Sequence, residues 1–418
     1  MSKKLNSRPR GGIIGALDIG TTKMCCFIAR VEDKVPHIIG IGHQISRGIK
    51  NGVVNDIEAA RQAIMTTVHA AEQMAGHQLT EAVVNLSGGF AASRLVKTEI
   101  GLNGREVNDG NMRRVLDAGF RVKEPAERTV IHSVPVGFAI DGGRSIRDPR
   151  GMYGHKLAVN MHIVTAESAA VRNLANCLGR CRLEIAALVA SPYASGLACL
   201  VEDESELGVT VIDMGGGTTS IAVFFDNNLV FTDSVPVGGS HVTHDIARGL
   251  TTPIAQAERM KALYGSAIAS SSDERETITV PLVGEEDEGH ANHVPKSLLV
   301  GIIAPRLEET FELVRDRLDA SGFDKIAGRR VVLTGGASQL PGTRELAGFI
   351  LDKQIRIGRP LRIEGAAEAT GGPAFATSAG LIHFALAERA EPAKRVRARP
   401  DESAGLMNRL GSWVRENL

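Results

Sequence analysis

The feature that most constrains the fold of this chain is a local pattern that occurs twice, about 195 residues apart. Residues 13–29 and 209–225 each contain an apolar strand, a turn that follows an aspartate and holds glycines and hydroxyl residues, and a second apolar strand. This pattern is typical of a β-hairpin, but its turn holds more glycine than chain reversal requires. We interpret the repeat as the internal duplication of a whole domain.

Both turns have the composition of a phosphate-binding loop. Glycines let backbone N–H groups converge on a phosphate, and hydroxyls add further donors. The residues of this kind are Gly20, Thr21, Thr22 and Lys23 in the first turn, and Gly215, Gly216, Gly217 and Thr218 in the second. Asp18 and Asp213 lie at the ends of the preceding strands, where two carboxylates can hold a hydrated Mg²⁺ ion. The sequence therefore predicts a site for phosphates and Mg²⁺ between the turns.

A third glycine-containing segment completes the predicted site. Gly335 and Gly336 follow a strand and precede a helix, so their backbone can approach a ribose or purine and the helix N-terminus favours anions. Glu258 and Lys261, one helical turn apart, offer polar groups to adenine and ribose. Taken alone, the glycine segment fits any turn between a strand and a helix, and the Glu258–Lys261 pair fits a solvated helix face.

Strands and helices alternate along the rest of the chain, which predicts an α/β protein with mixed sheets. A kink or break is expected at Pro305, and the Ser-rich and acidic stretch 270–290 is predicted to form loops and an exposed hairpin. The predicted helices are 56–76, 166–180 and 296–320, and the predicted strands include 81–86, 130–140, 158–165 and 331–334.

Composition excludes several classes of protein. Lys+Arg and Asp+Glu both number 48, so the net charge is zero. We therefore do not expect a protein that binds nucleic acid over its whole surface. We find no apolar run of the ~18–20 residues that a transmembrane helix needs and no signal peptide, because Asp18 and Lys23 interrupt the apolar run near the N-terminus. The five cysteines show no metal-site spacing, so we expect reduced thiols and a cytoplasmic protein.

The C-terminus combines a linker with an amphipathic helix. Residues 389–404 are rich in proline, alanine and charge and have no periodic apolar face, which is typical of a linker. In 405–418 the apolar residues fall on one helical stripe, formed by Leu406, Met407, Leu410, Trp413, Val414 and Leu418. This pattern predicts a helix that lies in the surface of an anionic membrane. The alternative is a terminal helix that docks on the protein's own core.

The three glycine-containing segments, Asp18–Lys23, Asp213–Thr218 and Thr334–Gly336, resemble the phosphate hairpins and adenosine loop of the actin/Hsp70/sugar-kinase ATPase superfamily. Within it the chain is similar to the FtsA family of bacterial cell-division proteins, through residues 46–56, 87–89, 140–141, 206–209 and 257–261, Asn173 and the amphipathic C-terminus. The resemblance covers about 12–386 and the tail. It implies an actin-like α/β ATPase fold, with duplicated domains around a nucleotide cleft and the family's 1C insertion.

The resemblance also implies a division into subdomains that the residue pattern alone does not give. Subdomain 1A comprises 12–86 and 165–205, and subdomain 2A comprises 206–244 and 329–386. Subdomain 1C is inserted at 87–164 and subdomain 2B at 245–328. A flexible linker follows at 387–404 and the membrane-targeting helix at 405–418.

By resemblance, the protein binds ATP and Mg²⁺, associates with itself, and tethers the ring of the tubulin-like protein FtsZ to the cytoplasmic face of the inner membrane at the septum, where it helps to recruit later division proteins. Arg306 and Glu309 match the family positions that hold the FtsZ C-terminal peptide, although by sequence alone an ordinary solvated ion pair at i, i+3 is the better explanation.

The superfamily offers two alternative functions. A sugar or acetate kinase needs a carboxylate that accepts the proton of its substrate hydroxyl, and we find no candidate aspartate at a matching loop. A pilus-assembly adaptor also carries a 1C-type insertion, but the predicted membrane tail disfavours it. Ser191 stands where strong ATPases of the superfamily have a glutamate that orients water, so we expect ATP hydrolysis to be weak at most.

Overall fold

The computed structural model describes residues 12–143, 146–284 and 292–390. Within these ranges, no helix has both the length and the apolar character needed to cross a membrane. The predicted tail helix 405–418, and the predicted linker from residue 391 onward, lie outside the described residues. The five cysteines lie inside them and are all free thiols, four of them buried and Cys181 partly exposed.

The described residues form strands and helices that alternate as the sequence predicts. The strands are β1 Gly12–Ile19, β2 Lys23–Glu32, β3 Val35–Ile45, β4 Ile49–Lys50, β5 Val53–Val54, β6 Glu81–Leu86, β7 Ala92–Gly101, β8 Arg128–Ile140, β9 Lys156–Glu167, β10 Glu184–Ala190, β11 Val209–Met214, β12 Thr219–Phe225, β13 Asn228–Val235, β14 Thr277–Val280, β15 Asn292–Pro295, β16 Arg330–Thr334 and β17 Gln354–Ile357. The helices are α1 Ile57–Ala75, α2 Asp109–Phe120, α3 Ser168–Arg180, α4 Ser191–Cys199, α5 Glu202–Leu207, α6 Gly239–Gly249, α7 Ile254–Tyr264, α8 Lys296–Ser321, α9 Thr343–Leu351 and α10 Ala376–Ala390.

Two five-stranded sheets of the same design confirm the predicted duplication. The first has the strand order β3-β2-β1-β6-β10 and the second has the order β13-β12-β11-β16-β17. In each, three strands joined by hairpins are antiparallel, and the central strand then pairs in parallel with the fourth. Asp18 and Asp213 occupy equivalent positions on the two central strands, one residue before the strand ends. The duplication therefore places both carboxylates at the same edge of their sheets.

A third sheet, inserted between β6 and α3 in the chain, has the order β7-β9-β8. Alternate residues of β9, from Leu157 to Ile163, face a separate core that includes Val115 of α2. The edge strand β7 also contacts the second five-stranded sheet. The Ser93 hydroxyl accepts a hydrogen bond from the Thr232 N–H at 2.7 Å and donates one to the Thr232 carbonyl at 3.0 Å. The insertion, which the chain joins to β6 of the first sheet, thus also contacts the second sheet.

A kink or a break is expected at Pro305, and the break is absent. Helix α8 continues through Pro305 without a break, because its buried face, including Leu299, Ile303 and Leu307, is held by the core. The carbonyl of Gly301, which Pro305 leaves without its helical donor, lies on the exposed side. After Gly335 the chain forms a short 3₁₀ turn over Gly336–Gln339, and the α-helix begins only at Thr343. In the region predicted as loops and an exposed hairpin, 270–290, β14 pairs antiparallel with β15, which lies just beyond residue 290. The expectation that this stretch stays out of the core is wrong for Ile278 and Val280 of β14, which are buried in it.

The insertion sheet contains a buried histidine that gives a prediction for pH. His162 on β9 is fully buried, and among the described residues neither ring nitrogen has a hydrogen-bond partner. Burial lowers the pKa of His162 from its ordinary value of 6.5 to about 4. Because the unfolded chain binds the proton more readily, the free energy of unfolding should fall by up to ~3 kcal/mol as pH drops from 6.5 to 4.

Urea unfolding at several pH values checks this expectation. The variant His162→Leu should lose the part of the pH dependence that lies between 6.5 and 4. The control variant His77→Leu replaces an exposed histidine and should keep it. An unchanged pH profile in His162→Leu would contradict the assignment.

Candidate functional site

The two glycine-rich turns contact each other. A Cβ atom added to Gly216 would lie 2.4 Å from the Thr22 side chain, and one added to Gly217 would lie 2.4 Å from the Thr21 hydroxyl. Both turns close in the same way, since the Gly20 N–H donates to the Lys23 carbonyl at 3.0 Å and the Gly215 N–H donates to the Thr218 carbonyl at 2.9 Å. Only glycine allows the two turns to approach each other this closely.

The turns form one wall of a cleft of about 450 Å³. This volume lies within the range of small-molecule sites, roughly 300–1,000 Å³. Every residue that the sequence analysis predicts for nucleotide and metal binding lines the cleft. They are Asp18, Gly20, Thr21, Thr22, Lys23, Asp213, Gly215, Gly216, Gly217, Thr218, Glu258, Lys261, Gly335 and Gly336.

Asp18 is buried at the end of β1 and its two oxygens have different donors. The Asn85 amide donates to Oδ1 at 2.9 Å and the Ser378 hydroxyl donates to Oδ2 at 2.9 Å. Burial raises the pKa of Asp18 to about 6, against the opposing effects of the Lys23 ammonium and the Ser378 hydroxyl. A carboxylate in this state gains from a cation at the cleft, because the cation offsets the cost of burying its charge.

Asp213 is the counterpart of Asp18 on β11. Its Oδ2 accepts hydrogen bonds from the hydroxyls of Ser195, at 2.6 Å, and Thr377, at 3.1 Å. Burial raises the pKa of Asp213, while these two hydroxyls and Lys23 oppose the rise. The hydrogen-bond donors to both carboxylates are thus neutral groups. The negative charge of the carboxylates is left to be balanced by positive charge in the cleft.

Lys23 supplies positive charge at the cleft. Its ammonium donates to the Ala374 carbonyl and lies 3.4 Å from the centre of the Phe375 ring. Burial lowers the pKa of Lys23, and Asp18 opposes that fall. The side chain therefore bridges the first hairpin and the segment before α10, which sequence reasoning alone does not show.

The Gly335 loop approaches the second hairpin closely. Gly335 has φ +86°, and an added Cβ would lie 2.4 Å from the Met214 carbonyl and 2.5 Å from Asp213 Oδ1. The parallel pairing of β11 with β16 sets this approach, because it places Thr334 beside Asp213. Both the conformation and the contact require glycine at position 335.

Glu258 and Lys261 form a small polar cluster on α7, and the lysine is not on a solvated face. The Lys261 ammonium donates to Glu258 Oε2 at 2.7 Å, to the Thr243 hydroxyl at 2.8 Å and to the Gly239 carbonyl at 3.0 Å. Its side chain is 16% exposed, whereas that of Glu258 is 56% exposed. The cluster ties α7 to the first turn of α6 at the rim of the cleft.

Ser191 occupies the position where strong ATPases of the superfamily have a glutamate. It also lines the cleft and is the first residue of α4. Asn85 of β6 donates to its hydroxyl at 3.1 Å. The sequence analysis overlooked Asn85, although a polar residue in the apolar strand at 81–86 was a usable signal. Ser195, Thr377 and Ser378 had no such signal, because their role depends on contacts across the fold.

Arg306 and Glu309 lie on α8 and do not line the cleft. Arg306 donates to Asp245 of α6 at 2.5 Å and to Glu309 on its own helix. The ion pair between Arg306 and Glu309, which is the alternative interpretation, is therefore present, and Asp245 is a further partner of Arg306. The next residue, Leu307, lines the cleft, so α8 connects the two regions.

The site fits a nucleotide with Mg²⁺. Both glycine turns line the cleft, and the two buried carboxylates, Asp18 and Asp213, line the same space. Within the described residues no group of three or more His, Cys, Asp or Glu could hold a metal by itself. Two carboxylates with hydroxyls suit a cation that keeps most of its waters, as Mg²⁺ does.

Solved structures with the same fold come from the actin-like proteins. A structure described as the PilM–PilN type IV pilus biogenesis complex matches with a TM-score of 0.64 at 18% identity, over 90% of this chain and 99% of that chain. MreB5 of Spiroplasma citri bound to ADP matches with a TM-score of 0.54 at 14% identity, over 93% of this chain and 100% of that chain. These identities show the fold alone, and they confirm the predicted actin-like architecture.

Sequence comparisons identify the family. The family model "Cell division protein FtsA" matches residues 210–380, and the model "SHS2 domain inserted in FTSA" matches residues 88–165. The cell division protein FtsA of Rhizobium meliloti is 47% identical over 90% of this chain and 87% of its own length. The FtsA protein of Agrobacterium fabrum is 45% identical over 100% of this chain and 97% of its own length. The FtsA protein of Escherichia coli K12 is 32% identical over 97% of this chain and 98% of its own length. The chain therefore belongs to the FtsA family of cell division proteins.

Proposed function

We propose that this chain is an ATP-binding cell-division protein that links FtsZ to the membrane. It binds ATP with Mg²⁺ in the cleft between its two halves, associates with copies of itself, and tethers the FtsZ ring to the cytoplasmic face of the inner membrane at the septum. There it helps to recruit later division proteins. The nucleotide acts mainly by setting the relation of the two halves, because Ser191 offers no carboxylate to orient an attacking water.

One observation carries the nucleotide part of the proposal. Both glycine turns, both buried aspartates and the Gly335 loop line a single cleft, although they come from three distant parts of the chain. The MreB5 structures of the same fold are described as bound to ADP and to AMPPNP. In this chain the phosphates would lie between the turns, and the ribose and base beside Glu258, Lys261 and Gly335.

Gly216→Asp tests where the phosphates lie. The new side chain would collide with the Thr22 side chain of the facing turn, and it would add negative charge where the phosphates are proposed to be. We expect a fluorescent ATP analogue to bind the wild type and to bind this variant at least ~10-fold more weakly, a loss of about 1.4 kcal/mol. The control Gly179→Asp changes an exposed glycine away from the cleft. Equal affinity of wild type and Gly216→Asp would show that the site is misplaced.

The proposed FtsZ contact lies on α8. We propose that the FtsZ C-terminal peptide binds against Arg306 and Glu309, with Asp245 holding the arginine in place. Charge reversal in Arg306→Glu should abolish binding of a labelled peptide in fluorescence anisotropy. It would place three carboxylates together, whose repulsion also affects the helix surface.

Two further variants separate peptide binding from that local repulsion. The double variant Arg306→Asp/Asp245→Arg restores an ion pair with its charges exchanged and should still fail to bind the peptide. Arg315→Glu reverses an exposed charge on the same helix and should bind normally. Recovery of binding in the double variant would mean that the arginine only stabilises α8.

A further inference from the structure

The buried Asn85 is the feature of the site that the proposed function leaves unexplained. It lies on β6, the parallel neighbour of β1, in a strand whose other buried residues are apolar. A buried amide needs partners for both of its N–H groups and for its oxygen, since each group left without one costs about 1–3 kcal/mol. The contacts of Asn85 meet this requirement in one orientation.

Three hydrogen bonds fix that orientation. Asn85 Oδ1 accepts from the backbone N–H of Ile19 at 2.7 Å. Its Nδ2 donates to Asp18 Oδ1 at 2.9 Å and to the Ser191 hydroxyl at 3.1 Å. A flipped amide would place its NH₂ group against the Ile19 N–H and its oxygen against the Asp18 carboxylate. Donor and acceptor chemistry therefore excludes the flip.

These contacts restrain the Asp18 carboxylate. Asn85 holds Oδ1 and Ser378 holds Oδ2, so the group cannot rotate without breaking a buried hydrogen bond. A carboxylate has about four lone-pair sites, and two remain for water ligands of a cation in the cleft. The same amide connects Asp18 to Ser191, the first residue of α4.

We propose that Asn85 is a positioning residue for the metal. It orients the Asp18 carboxylate toward the water shell of Mg²⁺ and links that carboxylate to the start of α4. The proposal rests on the proposed binding of Mg²⁺ and ATP in the cleft. Side chains that orient a metal-binding group typically change metal affinity by ~10–100-fold when they are replaced.

The test measures ATP affinity with Mg²⁺ and with EDTA in the same protein. In Asn85→Ala, we expect the increase in affinity that Mg²⁺ gives to the wild type to fall at least ~10-fold, while the affinity in EDTA changes less than about twofold. Asn85→Leu removes the same hydrogen bonds with less loss of volume, so it serves if the alanine variant is unstable. Thr67→Ala, a buried hydroxyl of α1 outside the cleft, controls for loss of stability.

Three outcomes are distinguishable. If Asn85→Ala loses only the increase in ATP affinity that Mg²⁺ gives, the positioning role of Asn85 is supported. An equal loss in Mg²⁺ and in EDTA, or no loss, overturns it, because the amide would then be structural or irrelevant to the metal. If the wild type itself shows no Mg²⁺-dependent ATP binding, the proposed function fails and the inference fails with it.

Discussion

Asp213→Ala is expected to weaken Mg²⁺·ATP binding by roughly 10- to 100-fold without unfolding the protein. Interactions of a charged group with its partners contribute about 1.5–3 kcal/mol, and each 1.4 kcal/mol changes an affinity tenfold. Asp213 is buried at the cleft, and burial raises its pKa, so the folded protein without ligand gains little from the charge. We therefore expect the main effect of the substitution on cation-dependent binding rather than on stability.

Two control variants make the measurement specific. Asp213→Asn keeps an oxygen for the hydroxyls of Ser195 and Thr377 but removes the charge, and it should lose Mg²⁺-dependent affinity like the alanine variant. Asp233→Ala removes a half-buried carboxylate of β13 in the same sheet, outside the cleft lining, and should bind normally. Isothermal titration of each protein with ATP and Mg²⁺ gives the affinities. Wild-type affinity in Asp213→Ala would contradict the assignment.

Deletion of residues 405–418 is expected to release the protein from anionic liposomes completely, with ATP binding intact. A helix of this segment would be about 21 Å long at ~1.5 Å per residue, too short for a bilayer core of ~30 Å but suited to its surface. From 389 to 418 there are seven basic and four acidic residues, and each basic residue near an anionic surface adds roughly 1 kcal/mol of attraction. The linker predicted before it would be long and polar enough to let such a helix leave the body.

Point variants distinguish the contribution of the apolar stripe to membrane binding from the effect of a change in net charge. Trp413→Glu places a carboxylate on the stripe and should abolish co-sedimentation with the liposomes. Asn408→Glu adds the same charge on the opposite face of the helix and should retain most of the binding. If the deleted protein still sediments with liposomes, the membrane contact lies elsewhere in the chain.

The duplicated part of the fold was predictable because it depends on local patterns that occur twice. Asp18 and Asp213 mark the two central strands, and the glycines after them predict the turns that meet at the cleft. The details that could not be predicted depend on distant contacts. Ser378 binds Asp18 across 360 residues of sequence, and Pro305 remains helical because the core holds the buried face of α8.

One measurement tests the proposed link between FtsZ and the membrane most directly. A labelled FtsZ C-terminal peptide is mixed with anionic liposomes, ATP and Mg²⁺, with or without the full chain, and the liposomes are sedimented. The peptide should sediment only when the full chain is present, and should remain in solution with Arg306→Glu or with the chain that lacks 405–418. If the full chain sediments and the peptide stays in solution, the protein does not connect FtsZ to the membrane through this peptide.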